Sequence, residues 1–427
     1  VVKMIVVGGG WAGCAAAVAA RQAGAEVTLI ERTDMLLGAG LVGGIMMNNG
    51  RYTAALEACA LGGEAIFTAL EGIYRHRDLN FPGHAHASLY DVVQVEPVIR
   101  RLLAARGIEI RTLSRAVEVE KEGDRVRAVI LEQGERLAGD AFVDATGTTG
   151  PVGNCLRYGH GCVMCVQRCP AFGPRTSLAA LAGGREYALV KPDGTYGAMS
   201  GSCKLVKESL APALRRELDE KGKVVLPLPP DLVRPQKLKL KVCQQYALPA
   251  FAENIILLDT GHAKLMAPFF PLEHLRRLPG LERARFADPY AAGKGNSMRL
   301  LAMAFRDNSL KVDGLANVFV AGEKQGPAVG HTEAIATGLL AGHNAVRWAV
   351  GREPLVLPRT LAIGEIIAQI TSDLAEGRAG RASYTFSGAG FFQVMREKNL
   401  YSTEEKEIRR RVREAGLEGI YAQSLVR

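Results

Sequence analysis

The sequence predicts an α/β protein: a Rossmann-like nucleotide-binding domain, an α+β domain inserted into it, and a helical C-terminal region. Three observations carry this. Val1–Arg32 (VVKMIVVGGGWAGCAAAVAARQAGAEVTLIER) reads as a complete βαβ unit with glycines at Gly8, Gly10 and Gly13. Two later stretches, Ala141–Gly147 (AFVDATG) and Lys311–Glu323 (KVDGLANVFVAGE), are apolar strands that each run into a glycine. After Gly351 the patterns are helical, over Ala362–Ile370 and Glu404–Ala415.

In the first unit, Met4–Val7 is a buried strand, Ala12–Ala23 an Ala-rich helix and Glu26–Ile30 a second strand. The three glycines serve a tight turn, backbone approach to a pyrophosphate and close helix–strand packing. The helix N-terminus faces the phosphates, and Glu31 ends the second strand where an acid meets a ribose hydroxyl. Residues 35–50 (MLLGAGLVGGIMMNNG) read as an irregular loop, Tyr52–Tyr74 as helix, and Phe81–Tyr90 as a surface loop carrying His84 and His86. Val95–Arg106 is an amphipathic helix and Gly107–Thr112 returns to the sheet. Ala116–Glu120, Arg125–Glu132 and Glu135–Leu137 form an antiparallel meander. Beyond residue 150 the pattern is mixed: Leu226–Pro235 is a linker or rigid turn, and Phe251–Thr260 contains a strand. Thr332–Val350 is a long apolar-faced helix.

Of the 427 residues, 48% are hydrophobic and 23% charged, which suits a globular chain with a large core and two or three domains. The longest apolar runs are broken by glycine or charge, and the chain starts on a core strand. The expectation is a cytoplasmic protein without a membrane span or secretory signal. The net charge of +9 admits an anionic partner such as RNA, but also cofactor phosphates; the basic runs Lys237–Lys241 and Arg409–Arg411 read as solvated faces.

The three-part order of glycine unit, Asp144–Gly147 and Asp313–Gly330 resembles the glutathione-reductase-like FAD fold. The resemblance implies FAD as cofactor and a helix aimed at the flavin from near His331. It divides the chain into an FAD domain (1–150 and 305–350), a substrate domain (151–304) and a C-terminal helical region (351–427). The candidate cofactor residues are Gly8, Gly10, Trp11, Ala12, Gly13, Glu31, Arg32, Gly44, Ala145, Thr146, Gly147, Gly322, Glu323, Gly330, His331 and Thr332. NAD(P)H stays open as a donor, with one complete dinucleotide unit in the chain, which FAD takes.

Residues 321–371 (AGEKQGPAVGHTEAIATGLLAGHNAVRWAVGREPLVLPRTLAIGEIIAQIT), with Gly43-Gly44 and Ala60–Glu64 (ALGGE), resemble the folate- and FAD-dependent tRNA uridine methyltransferases (TrmFO) and their GidA/MnmG relatives. This resemblance implies a flavoenzyme that modifies uridine in RNA. The methyltransferases carry a catalytic cysteine in a Cys-Ser-Asn stretch of the loop that here reads Met46-Met47-Asn48-Asn49, without cysteine; Cys203 is a candidate for a second family cysteine.

Residues 150–175 add a cysteine run: Cys155, Cys162, Cys165 and Cys169, the last three as C-x2-C-x3-C before Pro170. This resembles part of the ferredoxin cluster-binding run and suggests a [4Fe–4S] cluster; zinc, a redox-active thiol pair and reduced structural cysteines are the alternatives. Because Cys155 follows Gly147 by eight positions, a cluster there would relay electrons to the flavin. The sequence thus supports an FAD-dependent oxidoreductase with an iron–sulfur relay, an RNA-modifying flavoenzyme, or a flavin electron-transfer subunit serving a partner protein. His160, His262 and His331 are the candidate proton carriers, and Lys294 in Gly293–Asn296 (GKGN) a candidate anion ligand.

Overall fold

The computed structural model describes residues 1–147, 172–189, 198–200, 203–240, 243–267, 270–288, 297–299, 302–378, 383–388 and 390–426. Cys155, Cys162, Cys165, Cys169, His160 and Lys294 lie outside them.

Strands β1 (Lys3–Val7), β2 (Glu26–Ile30), β6 (Glu109–Arg111), β10 (Ala141–Asp144) and β19 (Val318–Val320) form one parallel sheet in the order β19-β10-β1-β2-β6. Their near-continuous apolar runs follow from burial on both faces. Met4, Val6 and Val143 point to one core, while Ile5, Val7 and Phe142 point to another. Val7 pairs with Ile30 and Asp144, and Asp144 with Val320, so the strands end level. The chain therefore leaves the sheet along one edge, at Gly8, Glu31, Ala145 and Ala321.

On one face, helix α1 (Trp11–Gln22) packs against the longest helix, α7 (His331–Ala349). Small residues make the approach close: a Cβ on Gly338 would stand 2.2 Å from Ala12 O, and one on Gly342 2.1 Å from Ala16 O. The antiparallel meander of β7 (Ala116–Glu122), β8 (Arg125–Leu131) and β9 (Arg136–Ala138) covers the other face through Val126, Val129 and Leu131. Helix α5 (Val95–Ala105) makes the crossover into β6.

Between β2 and α5 the structure departs from the sequence reading. Residues 35–50 are not wholly irregular: they hold helix α2 (Gly40–Gly43) and strand β3 (Ile45–Met47). The helix expected over Tyr52–Tyr74 breaks at Gly62-Gly63 into α3 (Gly50–Ala60) and α4 (Ala65–Ala69), because Gly62 takes φ +94°. Phe81–Tyr90 is not a surface loop. Gly83 turns the chain at φ +76°, and β4 (Tyr74–Phe81) and β5 (His84–Tyr90) pair as a hairpin that β3 extends. His84 is consequently buried, bonded to Asn48 Nδ2 (2.8 Å) and Gln245 O (3.0 Å).

The middle of the chain builds a second, antiparallel sheet, β13 (Cys203–Leu205), β16 (Ala263–Leu265), β15 (Asn254–Asp259) and β14 (Lys223–Pro227) in spatial order, flanked by α6 (Pro212–Lys221). The proline-rich stretch begins inside β14; an edge strand tolerates Pro227, which donates no ladder bond. Two ribbons pair β11 (Glu186–Ala188) with β18 (Ala302–Ala304) and β12 (Ala198–Ser200) with β17 (Ser297–Arg299). Helices α8 (Ala362–Ala375), α9 (Phe391–Glu397) and α10 (Glu405–Glu414) insert Ile363, Ile366, Phe391 and Val412 into the core shared by α1 and α7. Among the described residues no single helix is long and apolar enough to cross a membrane.

Candidate functional site

The level strand ends open into a cleft of about 1700 Å³, including its open mouth. One wall is the sheet edge with the N-termini of α1 and α7: Gly8, Gly10, Trp11, Ala12, Glu31, Arg32, Ala145, Thr146, Gly147, Gly322, Glu323, Gly330 and His331 all line it. Thirteen of the sixteen candidate cofactor residues thus come together. The other three stand behind the lining. A Cβ on Gly13 would lie 1.8 Å from Gly8 O, so Gly13 packs helix on strand; Gly44 packs on Thr260; Thr332 donates to Met46 O at 2.7 Å.

The glycines fit an extended dinucleotide. Gly8 makes the turn at φ +102°, with Ala145 O too near for a side chain, whereas a Cβ on Gly10 would meet nothing within 4 Å and would project into open space. Glu31 is pre-set by its neighbours: Oε2 accepts from Gly9 N (2.8 Å), and Oε1 from Thr33 N (2.9 Å) and Oγ1 (3.0 Å). Buried Asp144 shapes the turn after β10 by accepting from Thr146 N (3.0 Å), Thr146 Oγ1 (2.7 Å) and Ala179 N (2.8 Å). Glycine-backed strand ends beneath two helix N-termini suit an anionic pyrophosphate and leave room for a flat ring system.

His331 opens α7 on the cleft. Tyr90 donates its single hydroxyl proton to Gly40 O at 2.5 Å, so its contact with His331 Nδ1 at 3.2 Å makes Nδ1 the donor. The ring lies over Gly43, where a Cβ would stand 1.9 Å from its Cε1. His262, on the β15–β16 turn, is not among the lining residues; burial lowers its pKa and the Lys204 charge adds to this.

The sequence reading missed further parts of the lining: Cys243, Gln245, Tyr246, Lys264 and Met266 from the middle of the chain, and Arg51 beside the N-terminus of α7. Arg51 is buried and pairs with Glu333 (Nε–Oε2 2.9 Å), while also donating to Asn48 Oδ1 (3.1 Å), Val329 O (3.0 Å) and Thr385 Oγ1 (3.0 Å). Burial works against the guanidinium, but the Glu333 carboxylate raises its pKa above the ordinary value. Cys203, the candidate second family cysteine, is 3% exposed within the β13–β16 core, whereas Cys243 lines the cleft. The asparagine pair after Met47 was the available signal: Asn48 accepts from Arg51, and Asn48 and Asn49 both reach His84, which bonds to Gln245 O, so the pair stands behind these lining residues.

Of the arginine run, Arg409 pairs with Glu405 (2.8 Å) and Arg410 with Glu414 (2.7 Å) along the surface of α10, while Arg411 turns inward and donates to Leu400 O (2.8 Å). Among the described residues no group of three or more His, Cys, Asp or Glu is placed to hold a metal ion.

A family model described as FAD dependent oxidoreductase matches residues 3–150, and one described as glucose inhibited division protein A matches residues 266–353. The methylenetetrahydrofolate–tRNA-(uracil-5-)-methyltransferase TrmFO of Enterococcus faecalis is 40% identical over 106 residues, 24% of this chain and 22% of that protein. TrmFO of Streptococcus sanguinis is 38% identical over 97 residues, 22% of this chain and 20% of that protein. The matched part spans about a fifth of the length of each of these curated relatives. The structure of Aquifex aeolicus GidA superposes with a TM-score of 0.64 at 16% identity, covering 97% of this chain and 78% of that one. The chain therefore has a GidA-like α/β fold and resembles the TrmFO/GidA flavoproteins, with FAD as the cofactor its N-terminal part supports.

Proposed function

We propose that this chain is an FAD-dependent oxidoreductase of the TrmFO/GidA type that acts on uridine in RNA. The observation that carries the reading is convergence: residues from both family-matched segments, Gly8–Gly147 and Gly322–Ala334, line a single cleft. When bound, FAD supplies a two-electron donor and acceptor that also passes electrons singly. Gly10 leaves room for the pyrophosphate, Glu31 accepts from a ribose hydroxyl, and the N-terminus of α7 offers partial positive charge to a reduced flavin. His331, with its Nδ1 proton turned to Tyr90, keeps Nε2 as an acceptor and takes up a proton there. Residues 151–304 supply the substrate side of the cleft through Cys243, Tyr246 and Lys264. RNA as substrate draws on the TrmFO and GidA likeness and on the net charge of +9.

The test is incubation of the FAD-loaded chain with unmodified tRNA, a reductant and a folate one-carbon donor, followed by mass analysis of the nucleosides. A new uridine derivative supports the reading, and salt-dependent tRNA binding accompanies it. No product and no tRNA affinity at low salt reject it.

A second reading keeps the iron–sulfur relay, because the run of Cys155, Cys162, Cys165 and Cys169 begins eight positions after Gly147, which lines the cleft. Anaerobic purification with iron analysis and electron paramagnetic resonance tests it; iron-free, folded, FAD-loaded protein rejects it.

A further inference from the structure

Residues 172–177 lie in the inserted part of the chain, yet the structure brings them to the sheet-edge side of the cleft, where Arg175 and Thr176 join the lining. Contacts on both sides of Arg175 hold them there. Arg32 donates from Nη1 to Gly173 O, Thr176 Oγ1 donates to Ala116 O at 2.8 Å, and just beyond them Ala179 N donates to Asp144 Oδ2 at 2.8 Å. Because Asp144 Oδ1 also accepts from Thr146 N at 3.0 Å, one buried carboxylate ties this segment to the turn after β10. The segment thereby delivers Arg175 to the glycine turn. A Cβ on Gly147 would stand 3.1 Å from Arg175 Nη1, and Gly147 follows Ala145 and Thr146, against which Gly8 packs without room for a side chain.

Among the described residues the arginines and lysine that line the cleft are Arg32, Arg51, Arg115, Arg175 and Lys264. Arg51 is paired with Glu333 and Arg115 with Glu132 (2.6 Å), while Arg32 and Lys264 donate to Gly173 O and Val42 O. The half-buried Arg175 side chain has neither an ion pair nor a hydrogen bond among the described residues. The first glycine turn of a βαβ unit is where a pyrophosphate lies, and there main-chain N–H groups and a helix N-terminus offer partial charges only. We propose that Arg175 is the charged diphosphate ligand of the cofactor site, its guanidinium taking the pyrophosphate of the dinucleotide beside Gly8. Its planar fork matches two phosphate oxygens at once, which a lysine does not. The inserted part of the chain then holds the cofactor together with the βαβ unit. The inference rests on the proposed function for the identity of that dinucleotide, FAD.

The test compares the full-length chain, freed of flavin, with R175M and R175K. FAD and ADP are titrated separately by calorimetry, and thermal melts without ligand report folding. The expected result is affinity for both ligands weakened about ten- to hundredfold in R175M, the worth of one charge-assisted contact. R175K recovers part of it, and melting without ligand stays unchanged. Unchanged FAD affinity in folded R175M overturns the assignment. Loss of FAD affinity with ADP affinity intact also overturns it, because the guanidinium then serves the flavin half. So does a ligand-free melt that falls along with the affinity, which marks a structural role. If R175M does not fold, R175Q is read in its place with the same outcomes. A native chain that takes up no FAD but binds ADP through Arg175 defeats the FAD reading and leaves the diphosphate ligand standing; one that binds neither overturns both.

Discussion

Arg51 and Glu333 form a buried ion pair, Nε to Oε2 at 2.9 Å, that ties the start of α3 to the first turn of α7 at the edge of the cleft. Glu333 also accepts from Thr385 Oγ1 (2.8 Å) and Phe386 N (2.9 Å), so the C-terminal segment is tied in as well. Removing one partner strands a buried charge. Arg51→Met and Glu333→Gln are each expected to lower stability by about 3–5 kcal/mol. Lysine cannot reproduce the four-way fork, so Arg51→Lys loses most of the same stability. Urea unfolding followed by circular dichroism measures it.

The two glycines of the first turn separate binding from folding. Gly10→Ala adds a methyl in open space, and is expected to leave the melting temperature nearly unchanged while reducing FAD content. Gly13→Ala drives a Cβ into Gly8 O and costs at least about 3 kcal/mol by overpacking. Thermal melts and absorbance of released flavin distinguish the two.

Two buried groups give opposed pH dependences. Burial raises the Glu57 carboxyl to about 7, although Ala362 N and Ile363 N donate to it; its contribution is present below its ordinary pKa and is lost as pH rises toward 7. Burial lowers His343 to about 4, and among the described residues neither ring nitrogen has a hydrogen-bond partner; the neutral ring's contribution is present above its ordinary pKa and is lost as pH falls toward 4. Between about pH 5 and 6.5 the slopes oppose each other, each at most about 1.4 kcal/mol per pH unit. Glu57→Gln is expected to expose a rise of stability with pH over that range, and His343→Phe a fall. Denaturation midpoints at pH 5 and 6.5 read the sign.

Of the four described cysteines, Cys14 and Cys203 are buried, and burial pushes the Cys14 and Cys59 thiols up. Cys243 stands on the cleft wall. Brief alkylation followed by peptide mass mapping is expected to label Cys243 first among these four, with several-fold protection once FAD and a second substrate fill the cleft.

Legibility in the sequence followed the range of the interactions. The parallel sheet, the meander and α7 rest on local signals, namely apolar runs, glycine turns and helical period, and their positions were readable. The sheet-edge wall was readable for the same reason, because each of its residues follows a strand end. The lining from residues 243–266 was not: Lys264 sits on β16, which pairs with β13 some sixty residues earlier, and no periodicity announces that pairing. His84 was misread because Pro82, Gly83 and alternating histidines look like loop, whereas its burial comes from Asn48 and Gln245, both distant in sequence. Gly338 and Gly342 acquire their role only through contact with Ala12 and Ala16.

The most direct test of the central claim is the visible absorption spectrum of anaerobically isolated protein, recorded before and after reduction and again for Gly10→Leu. Flavin bands that bleach on reduction in the native chain, and that are missing from folded Gly10→Leu, are the predicted result. Folded native protein without flavin bands, which takes up no added FAD, contradicts it.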